Sequence, residues 1–113
     1  MKTILIVDDD ITFLNIFAYA LKSKKCEVFT ATSVSEAKDI LANKYVSLIC
    51  SDIHMNNETG FELLDYVRSE FDDLAFILLS SDLTEENCKQ AKASNAFCIE
   101  KSEQNLVDRI LQY

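Results

Sequence analysis

Short apolar runs alternate along the chain with segments of helical periodicity, and this alternation limits the fold more than any other feature. Five runs of apolar and β-branched residues suit strands that are buried in a sheet; they lie at about 4–7, 26–31, 46–50, 75–79 and 97–99. After each run, apolar residues recur every three or four positions, as on one face of a helix. The alternation predicts a doubly wound α/β fold with a five-stranded parallel sheet between two layers of helices.

Residues that cap helices mark the helix starts, whereas the usual markers of turns are scarce. Asp10 precedes the first helical stretch, and residues 33–36 (SVSE) have the S-x-x-E pattern of a capping box before the second. The chain has no proline and one glycine, Gly60, so Asn, Asp, Ser and Thr must form most turns, including a loop at about 52–59. With 113 residues, 49% of them hydrophobic, we expect a single domain over residues 1–113.

The charge and hydropathy of the chain argue against several classes of protein. Its 19 acidic and 11 basic residues give a net charge of −8, which disfavours direct contact with nucleic acid or anionic lipid. No apolar run approaches the ~20 residues of a membrane span, and the first run is too short for a signal peptide. The cysteines show no C-x-x-C spacing, so we expect reduced thiols and a cytoplasmic location; they are Cys26, Cys50, Cys88 and Cys98.

The residues just past the apolar runs are chemically distinctive. Ligands of doubly wound sheets bind outside the carboxyl ends of the strands, so a site is expected there. These positions hold carboxylates, hydroxyls and one ammonium; the residues are Asp8, Asp9 and Asp10 after the first run, Asp52 after the third, Ser80 and Ser81 after the fourth, and Lys101 after the fifth. Singly, Asp10 suits a helix cap and the others are ordinary loop residues, but their joint placement indicates a site.

Crowded carboxylates at one edge of the sheet predict a bound cation. Such groups repel one another within a few ångströms, and burial adds to the cost of their charge. Mg²⁺ relieves this repulsion, since it binds oxygen ligands and commonly takes one or two carboxylates. A carboxylate is also able to attack phosphorus and form an aspartyl phosphate, while a lysine pairs with the phosphoryl oxygens. The pattern therefore predicts Mg²⁺-dependent phosphoryl transfer onto an aspartate.

Four segments, in order along the chain, make it similar to the receiver domains of bacterial two-component response regulators. They are residues 4–10 (ILIVDDD), 48–55 (LICSDIHM) with 60–64 (GFELL), 77–81 (ILLSS), and Lys101. The resemblance covers essentially the whole chain and implies a flavodoxin-like (βα)5 fold with strand order 2-1-3-4-5. It also implies a phosphoryl-accepting signalling switch, and not an enzyme beyond the phosphorylation and dephosphorylation of its own aspartate.

The resemblance gives each acidic residue of the site a role. Asp52 would accept the phosphoryl group, and Asp9 and Asp52 would give carboxylates to Mg²⁺. The backbone carbonyl of His54 would be a further ligand, while the His54 side chain is expected in solvent. Asp8 would act through a metal-bound water.

The remaining site residues and the partners follow from the same resemblance. Ser80 would donate its hydroxyl to the phosphoryl group, and Lys101 would pair with that group. The phosphoryl donor would be a histidine kinase or a phosphotransfer protein that carries phosphohistidine. A downstream protein, which the sequence does not identify, would bind the face of the fourth and fifth helices, at about Thr84–Tyr113.

The chain departs from the receiver pattern at three positions. Asn56 stands where proline is usual, and Ser102 stands where a proline commonly follows the lysine, often through a cis bond. Cys98 occupies the position of an aromatic residue that swings inward in the switch, and Phe97, one residue earlier, should face the other side of the strand. These departures leave open an alternative, a degenerate receiver that binds a partner without being phosphorylated.

A minor alternative is an enzyme. Residues 8–12 (DDDIT) are similar to the first motif of haloacid-dehalogenase-type phosphatases, with Asp8 as nucleophile and Asp10 as acid/base. This interpretation leaves Asp52 without a role. It also requires a further acidic strand after Lys101, where only 12 residues remain.

Overall fold

The computed structural model describes residues 2–71 and 73–113, and these residues adopt the predicted α/β fold. Helices alternate with the strands of a parallel sheet, and a small hairpin follows the third strand. The strands are β1 (Thr3–Val7), β2 (Glu27–Ala31), β3 (Leu48–Asp52), β4 (His54–Met55), β5 (Glu58–Thr59), β6 (Ala75–Ser80) and β7 (Phe97–Glu100). The helices are α1 (Ile11–Lys22), α2 (Val34–Asn43), α3 (Gly60–Glu70), α4 (Glu85–Ala93) and α5 (Leu106–Ile110).

The main sheet has five parallel strands in the order β2-β1-β3-β6-β7. The strands β4 and β5 pair with each other in a separate antiparallel hairpin, so β6 and β7 are the fourth and fifth strands of the main sheet. The observed order is therefore the predicted 2-1-3-4-5. Because strand order reverses between β1 and β3, their carboxyl ends flank the crevice in which ligands of such sheets bind.

Two hydrophobic cores lie on opposite faces of the sheet. Alternate residues of β1 point to each core: Leu5 and Val7 pack with α2, α3 and α4, whereas Ile4 and Ile6 pack with α1 and α5. All four side chains are fully buried, and burial of each contributes about 1.5–3 kcal/mol to folding. The continuous apolar run in the sequence thus reflects a strand that is covered on both faces.

Both of the predicted helix caps are formed. The Asp10 Oδ1 accepts a hydrogen bond from the backbone N–H of Phe13 at 3.2 Å. The Ser33 Oγ accepts one from the N–H of Glu36 at 3.1 Å. The capping box before α2 is incomplete, because the Glu36 carboxylate accepts from the N–H and the hydroxyl of Thr32 and not from the N–H of Ser33. These bonds from Thr32, the backbone one first, lower the pKa of Glu36 below its ordinary value.

The third strand and the segment after it differ from the prediction. The strand β3 ends at Asp52 and not at Cys50, because Ser51 and Asp52 continue the pairing with β6 although their side chains are polar. The predicted loop at 52–59 contains the hairpin β4–β5, whose strands are too short to leave a hydrophobic pattern. His54 lies in β4, and its side chain is exposed, as expected.

All four cysteines are free thiols in the structure. Cys50 is fully buried in β3, and this burial raises the pKa of its thiol far above the ordinary value. In the part of the chain that the structure describes, every helix is too short or too polar to span a bilayer.

Arg68, near the end of α3, joins three segments of the fold. Its guanidinium donates hydrogen bonds to the carbonyls of Ser94, Leu74 and Asn95 at 2.7, 2.8 and 3.0 Å. We expect Arg68→Met to lower the free energy of unfolding by about 2 kcal/mol, because three carbonyls lose a charged donor. Urea unfolding measures the change, and Lys89→Met on the exposed face of α4 is the control, with a change below about 0.5 kcal/mol. Equal effects of the two substitutions would contradict the prediction.

Candidate functional site

Four strands of the main sheet bring polar side chains to its carboxyl edge. Asp8 and Asp9 directly follow β1, Asp52 ends β3, Ser80 ends β6, and Lys101 directly follows β7. The parallel pairing of β1 with β3, of β3 with β6 and of β6 with β7 sets these strand ends side by side. The structure therefore brings the five side chains together at one edge of the sheet.

Asp8, Asp9 and Asp52 form a cluster of carboxylates. One oxygen of each lies within 4.8 Å of the corresponding oxygens of the other two. Asp8 is 1% exposed, while Asp9 and Asp52 are half-buried. Like charges at this distance raise the free energy of the fully ionised cluster, and partial burial increases the effect. The arrangement suits a hard divalent cation with oxygen ligands.

Lys101 brings a positive charge to the carboxylate cluster. Its Nζ lies 2.5 Å from the Asp8 Oδ2 and 3.7 Å from the Asp52 Oδ2. Apart from Lys101, the described residues provide no hydrogen-bond donor to the Asp8 Oδ2. The Nζ also lies 4.3 Å from the centroid of the Phe13 ring, in a cation–π contact. Burial opposes the charge of Lys101, but Asp8 and then Asp52 outweigh it and raise the pKa of the ammonium above its ordinary value.

The environment of Asp52 raises the pKa of its carboxyl to about 6. Burial is the largest cause, the negative charge of Asp8 is the second, and Asp9 adds a smaller effect. Lys101 and the N–H of Ile53 act in the opposite direction without cancelling these effects. The single ammonium of Lys101 therefore does not offset the effects of burial and of the neighbouring negative charges on Asp52. A divalent cation would lower the pKa of Asp52 and keep it ionised.

Two backbone N–H groups orient the carboxylates of Asp8 and Asp9. The Asp8 Oδ1 accepts from the N–H of Asp10 at 2.9 Å. The Asp9 Oδ2 accepts from the N–H of Asn56, also at 2.9 Å, and this bond joins the end of β1 to the hairpin after β3. The sequence did not predict that Asn56 orients Asp9, because Asn56 and Asp9 are 47 positions apart and the donor is a backbone N–H.

Ser80 is 1% exposed at the end of β6. Its Oγ accepts a hydrogen bond from the N–H of Asp82 at 3.1 Å, which leaves the hydroxyl hydrogen available for donation. The carbonyl of Ser80 accepts the N–H of Lys101 at 2.8 Å. This second bond fixes the backbone of the lysine next to β6, so the two residues are positioned together.

The other departures from the expected pattern lie on and after β7. Cys98 packs against the core on the side of α2, α3 and α4. Phe97 is 46% exposed and contacts the ring of Tyr113, with 4.3 Å between the ring centroids and an angle of 41° between the rings. The two residues thus face opposite sides of the strand, and Phe97 does not take the inward position. Ser102 follows the lysine without a cis bond, and the described residues contain no cis peptide.

The backbone of Asp52 is tightly packed against the start of α3. Gly60 is the first residue of that helix, and a Cβ there would collide with the Asp52 carbonyl oxygen and lie 2.8 Å from the Leu78 Cδ2. The N–H of Gly60 donates to the carbonyl of Ile53 at 2.8 Å. The absence of a side chain at Gly60 therefore permits the close approach. The sequence feature that could have indicated this close packing is that Gly60 is the sole glycine of the chain.

A sequence model of the family described as "response regulator receiver domain" matches residues 4–111. A two-component response regulator of Oryza sativa subsp. japonica is 38% identical over 82 residues, which are 70% of this chain and 14% of that protein. The heme response regulator HssR of Staphylococcus aureus is 30% identical over 82 residues, or 73% of this chain and 37% of that protein. The chain thus spans well under half the length of either relative.

Solved structures share the fold over nearly the whole chain. Chemotaxis protein CheY4 of Vibrio cholerae has a TM-score of 0.91 at 28% identity, covering 99% of this chain and 97% of that chain. A CheY-like receiver domain protein from Methanospirillum hungatei has a TM-score of 0.89 at 26% identity, covering 99% and 92%. TrrA of Thermotoga maritima, solved in complex with Mg²⁺ and BeF, has a TM-score of 0.85 at 22% identity, covering 99% and 97%. At that identity the similarity to TrrA concerns the fold alone.

Proposed function

Because the chain belongs to the family of response regulator receiver domains, we propose that it is a phosphorylation switch whose acceptor is Asp52. Receiver domains are signalling switches of two-component systems and not classical enzymes, and they act with histidine kinases and downstream effectors. The observation that carries the proposal is the cluster of Asp8, Asp9 and Asp52 beside the ammonium of Lys101. Within this cluster, Asp52 is half-buried at the end of β3, with Ser80 at the end of the adjacent strand β6 and Lys101 just after β7.

Phosphoryl transfer to Asp52 forms one bond and breaks another. A carboxylate oxygen of Asp52 attacks the phosphorus of a phosphohistidine, so an O–P bond forms and the N–P bond breaks with its electron pair left on the imidazole. The Lys101 ammonium balances the charge of the incoming group, and the Ser80 hydroxyl donates a hydrogen bond to one of its oxygens. The donor in this proposal is a histidine kinase or a phosphotransfer protein.

The cation in this proposal is Mg²⁺, held by Asp9, Asp52 and the backbone carbonyl of His54, with Asp8 acting through a water molecule. The donor set consists of oxygen atoms, which Mg²⁺ prefers, and the described carboxylates carry more negative charge than Lys101 balances. When bound, Mg²⁺ would supply positive charge to the phosphoryl oxygens. The complex of the T. maritima protein with Mg²⁺ and BeF supports the compatibility of this fold with both ligands.

Mg²⁺ affinity is expected to fall as the pH is lowered through about 6, because protons compete with the cation for the Asp52 carboxylate. With a pKa of about 6, simple competition raises the apparent dissociation constant about tenfold between pH 7 and pH 5. Calorimetric titration with Mg²⁺ at the two pH values measures the effect. Asp52→Asn serves as the control, and its affinity should vary much less with pH. An equally steep dependence in this variant would assign the titration to another group.

Phosphorylation by a small donor tests the proposed function. Acetyl phosphate and Mg²⁺ are expected to add one phosphoryl group to the protein, detected by intact-mass spectrometry, and EDTA is expected to prevent the addition. No addition under conditions that label another receiver domain would contradict the proposal and favour the degenerate scaffold.

Turnover separates the switch from the phosphatase alternative. Sustained hydrolysis of a phosphomonoester over many turnovers would favour a haloacid-dehalogenase-type enzyme. In the structure, the Asp10 carboxylate that would be the acid/base of such an enzyme caps α1 through the N–H of Phe13. We therefore expect no sustained hydrolysis.

The output surface, the domain extent and the location are also proposals. We propose that residues 1–113 form one receiver domain, that it acts in the cytoplasm, and that a downstream protein binds the face of α4, β7 and α5. The exposed ring of Phe97, in contact with the partly buried ring of Tyr113, supports an apolar contact on that face. Substitutions on the face that leave every partner interaction unchanged would refute this part of the proposal.

A further inference from the structure

The hairpin β4–β5 contacts the acidic segment after β1 through one hydrogen bond. Asn56, which follows β4 directly, donates its backbone N–H to the Asp9 Oδ2 at 2.9 Å. Among the hydrogen bonds of the described residues, this is the one that involves the Asp9 side chain. By contrast, the carboxylate of Asp8 contacts both the N–H of Asp10 and the ammonium of Lys101. The orientation of Asp9 therefore depends on the hairpin far more than that of Asp8 does.

The conformation of Asn56 suits this contact. Its φ is 31°, in the positive region that asparagine tolerates better than most residues. A proline at this position would lack the N–H and would fix φ near about −65°. The N–H of Asn56 is therefore a donor to Asp9 that a proline at this position could not supply.

The hairpin that carries Asn56 is itself held in place. Glu58, in β5, accepts the N–H of Val34 at the start of α2 through its Oε2 at 2.7 Å. Beyond β5, the N–H of Gly60 donates to the carbonyl of Ile53 at 2.8 Å, which closes the base of the hairpin. The N–H of Asn56 thus projects from a turn that is fixed to α2 on one side and to the end of β3 on the other.

We propose that Asn56 is a positioning residue for the divalent cation, because its N–H holds the Asp9 carboxylate where it faces Asp52. The inference rests on the proposed function and adds to it a role for the hairpin. A carboxylate offers about four acceptor positions, so the bond from Asn56 leaves the rest of Asp9 free for a cation. Hydrogen bonds to ligating side chains typically change metal affinity by about 10–100-fold when they are removed.

Titration of three variants of the full chain with Mg²⁺ alone tests this role. Asn56→Pro removes the N–H, Asn56→Ala keeps the N–H but disfavours the positive φ, and Asn56→Gly keeps the N–H and accepts the positive φ. We expect the dissociation constant to rise about tenfold for Asn56→Pro, the low end of the range because Asn56 is exposed. It should stay within about twofold of the wild-type value for Asn56→Gly, with Asn56→Ala nearer to Asn56→Gly than to Asn56→Pro.

A second measurement does not require the proline variant to fold. In Asp9→Ala, the amide of Asn56 loses its acceptor, so its proton resonance should move upfield and exchange faster with solvent. Equal Mg²⁺ affinities of the wild type and Asn56→Pro, or an Asn56 amide that Asp9→Ala leaves unchanged, would overturn the inference and leave the proposed function standing. Failure of the wild-type protein to bind Mg²⁺ would overturn both.

Discussion

We expect Asp52→Asn to abolish labelling by acetyl phosphate, because Asp52 is the proposed phosphoryl acceptor. Asparagine has almost the same size as aspartate but presents an amide, which is not a nucleophile for phosphorus. Intact-mass spectrometry should therefore detect no added phosphoryl group. Labelling at the wild-type level would show that another residue is the acceptor, and Asp8, the nucleophile of the phosphatase alternative, would be the next residue to replace.

The same substitution should stabilise the protein when EDTA removes divalent ions. The pKa of Asp52 in the folded state is about 6, above its value of 3.8 in the unfolded state, so the folded state binds the proton more tightly. This contribution to stability is present below about pH 4 and is lost as the pH rises through about 6. Asparagine avoids the loss, and we expect a gain of about 1–2 kcal/mol in the free energy of unfolding at pH 7, after allowance for solvent screening.

Asp10→Asn is the matched control for both measurements. It makes the same chemical change two residues from Asp8, and asparagine caps a helix as well as aspartate does. The control should keep wild-type labelling, because the Asp10 side chain accepts the N–H of Phe13 at the start of α1. Loss of labelling in this variant as well would point to a general effect of removing charge near the site.

Gly60→Ala should have the largest effect on stability among the substitutions considered. The added Cβ would collide with the Asp52 carbonyl oxygen and lie 2.8 Å from the Leu78 Cδ2 and 3.1 Å from the Ser51 Oγ. These neighbours belong to buried strands and have little room to move. Overpacking of this kind typically costs about 1–3 kcal/mol, and we expect the upper part of that range in urea unfolding. Because the collision involves the backbone of Asp52, phosphorylation should also slow.

Glu85→Ala is the control for the glycine substitution, since Glu85 is the first residue of α4 as Gly60 is of α3. Its side chain is 86% exposed, and it pairs with Lys89 across one turn of the helix. Loss of such a pair costs about 0.5 kcal/mol or less. If Gly60→Ala costs no more than this control, the close packing under Asp52 has no energetic importance.

The architecture was predictable because burial on both faces leaves a strong pattern. Ile4, Leu5, Ile6 and Val7 are all apolar for this reason, and the helices repeat their apolar residues at a different period. The end of β3 was not predictable from the same pattern, because Ser51 is polar and yet fully buried. Hydrophobicity alone places the strand end too early in such a case.

The residues of the carboxylate cluster were identifiable because each lies at or just past the end of a recognisable strand. Contacts that cross between distant segments were not. The Lys101 ammonium meets the ring of Phe13, a residue of α1 whose apolar side chain gives no sign of a role at the site. The hydrogen bond from Asn56 to Asp9 depends on a backbone group and on a hairpin with two-residue strands. The residue types at these positions do not distinguish the cation–π contact from ordinary packing, or the hydrogen-bonded hairpin from an ordinary turn.

The unequal distances from the Lys101 Nζ, 2.5 Å to Asp8 and 3.7 Å to Asp52, have a consequence for signalling. In the structure the Lys101 ammonium lies nearer to Asp8, so in the proposed switch a phosphoryl group on Asp52 would compete for an ammonium that already has an anionic partner. The free energy of the ion pair between Lys101 and Asp8 would then reduce the free energy gained when the phosphoryl group pairs with Lys101. A weaker ion pair between Lys101 and Asp8 would make the protein easier to activate by phosphorylation, and a stronger ion pair would make activation harder.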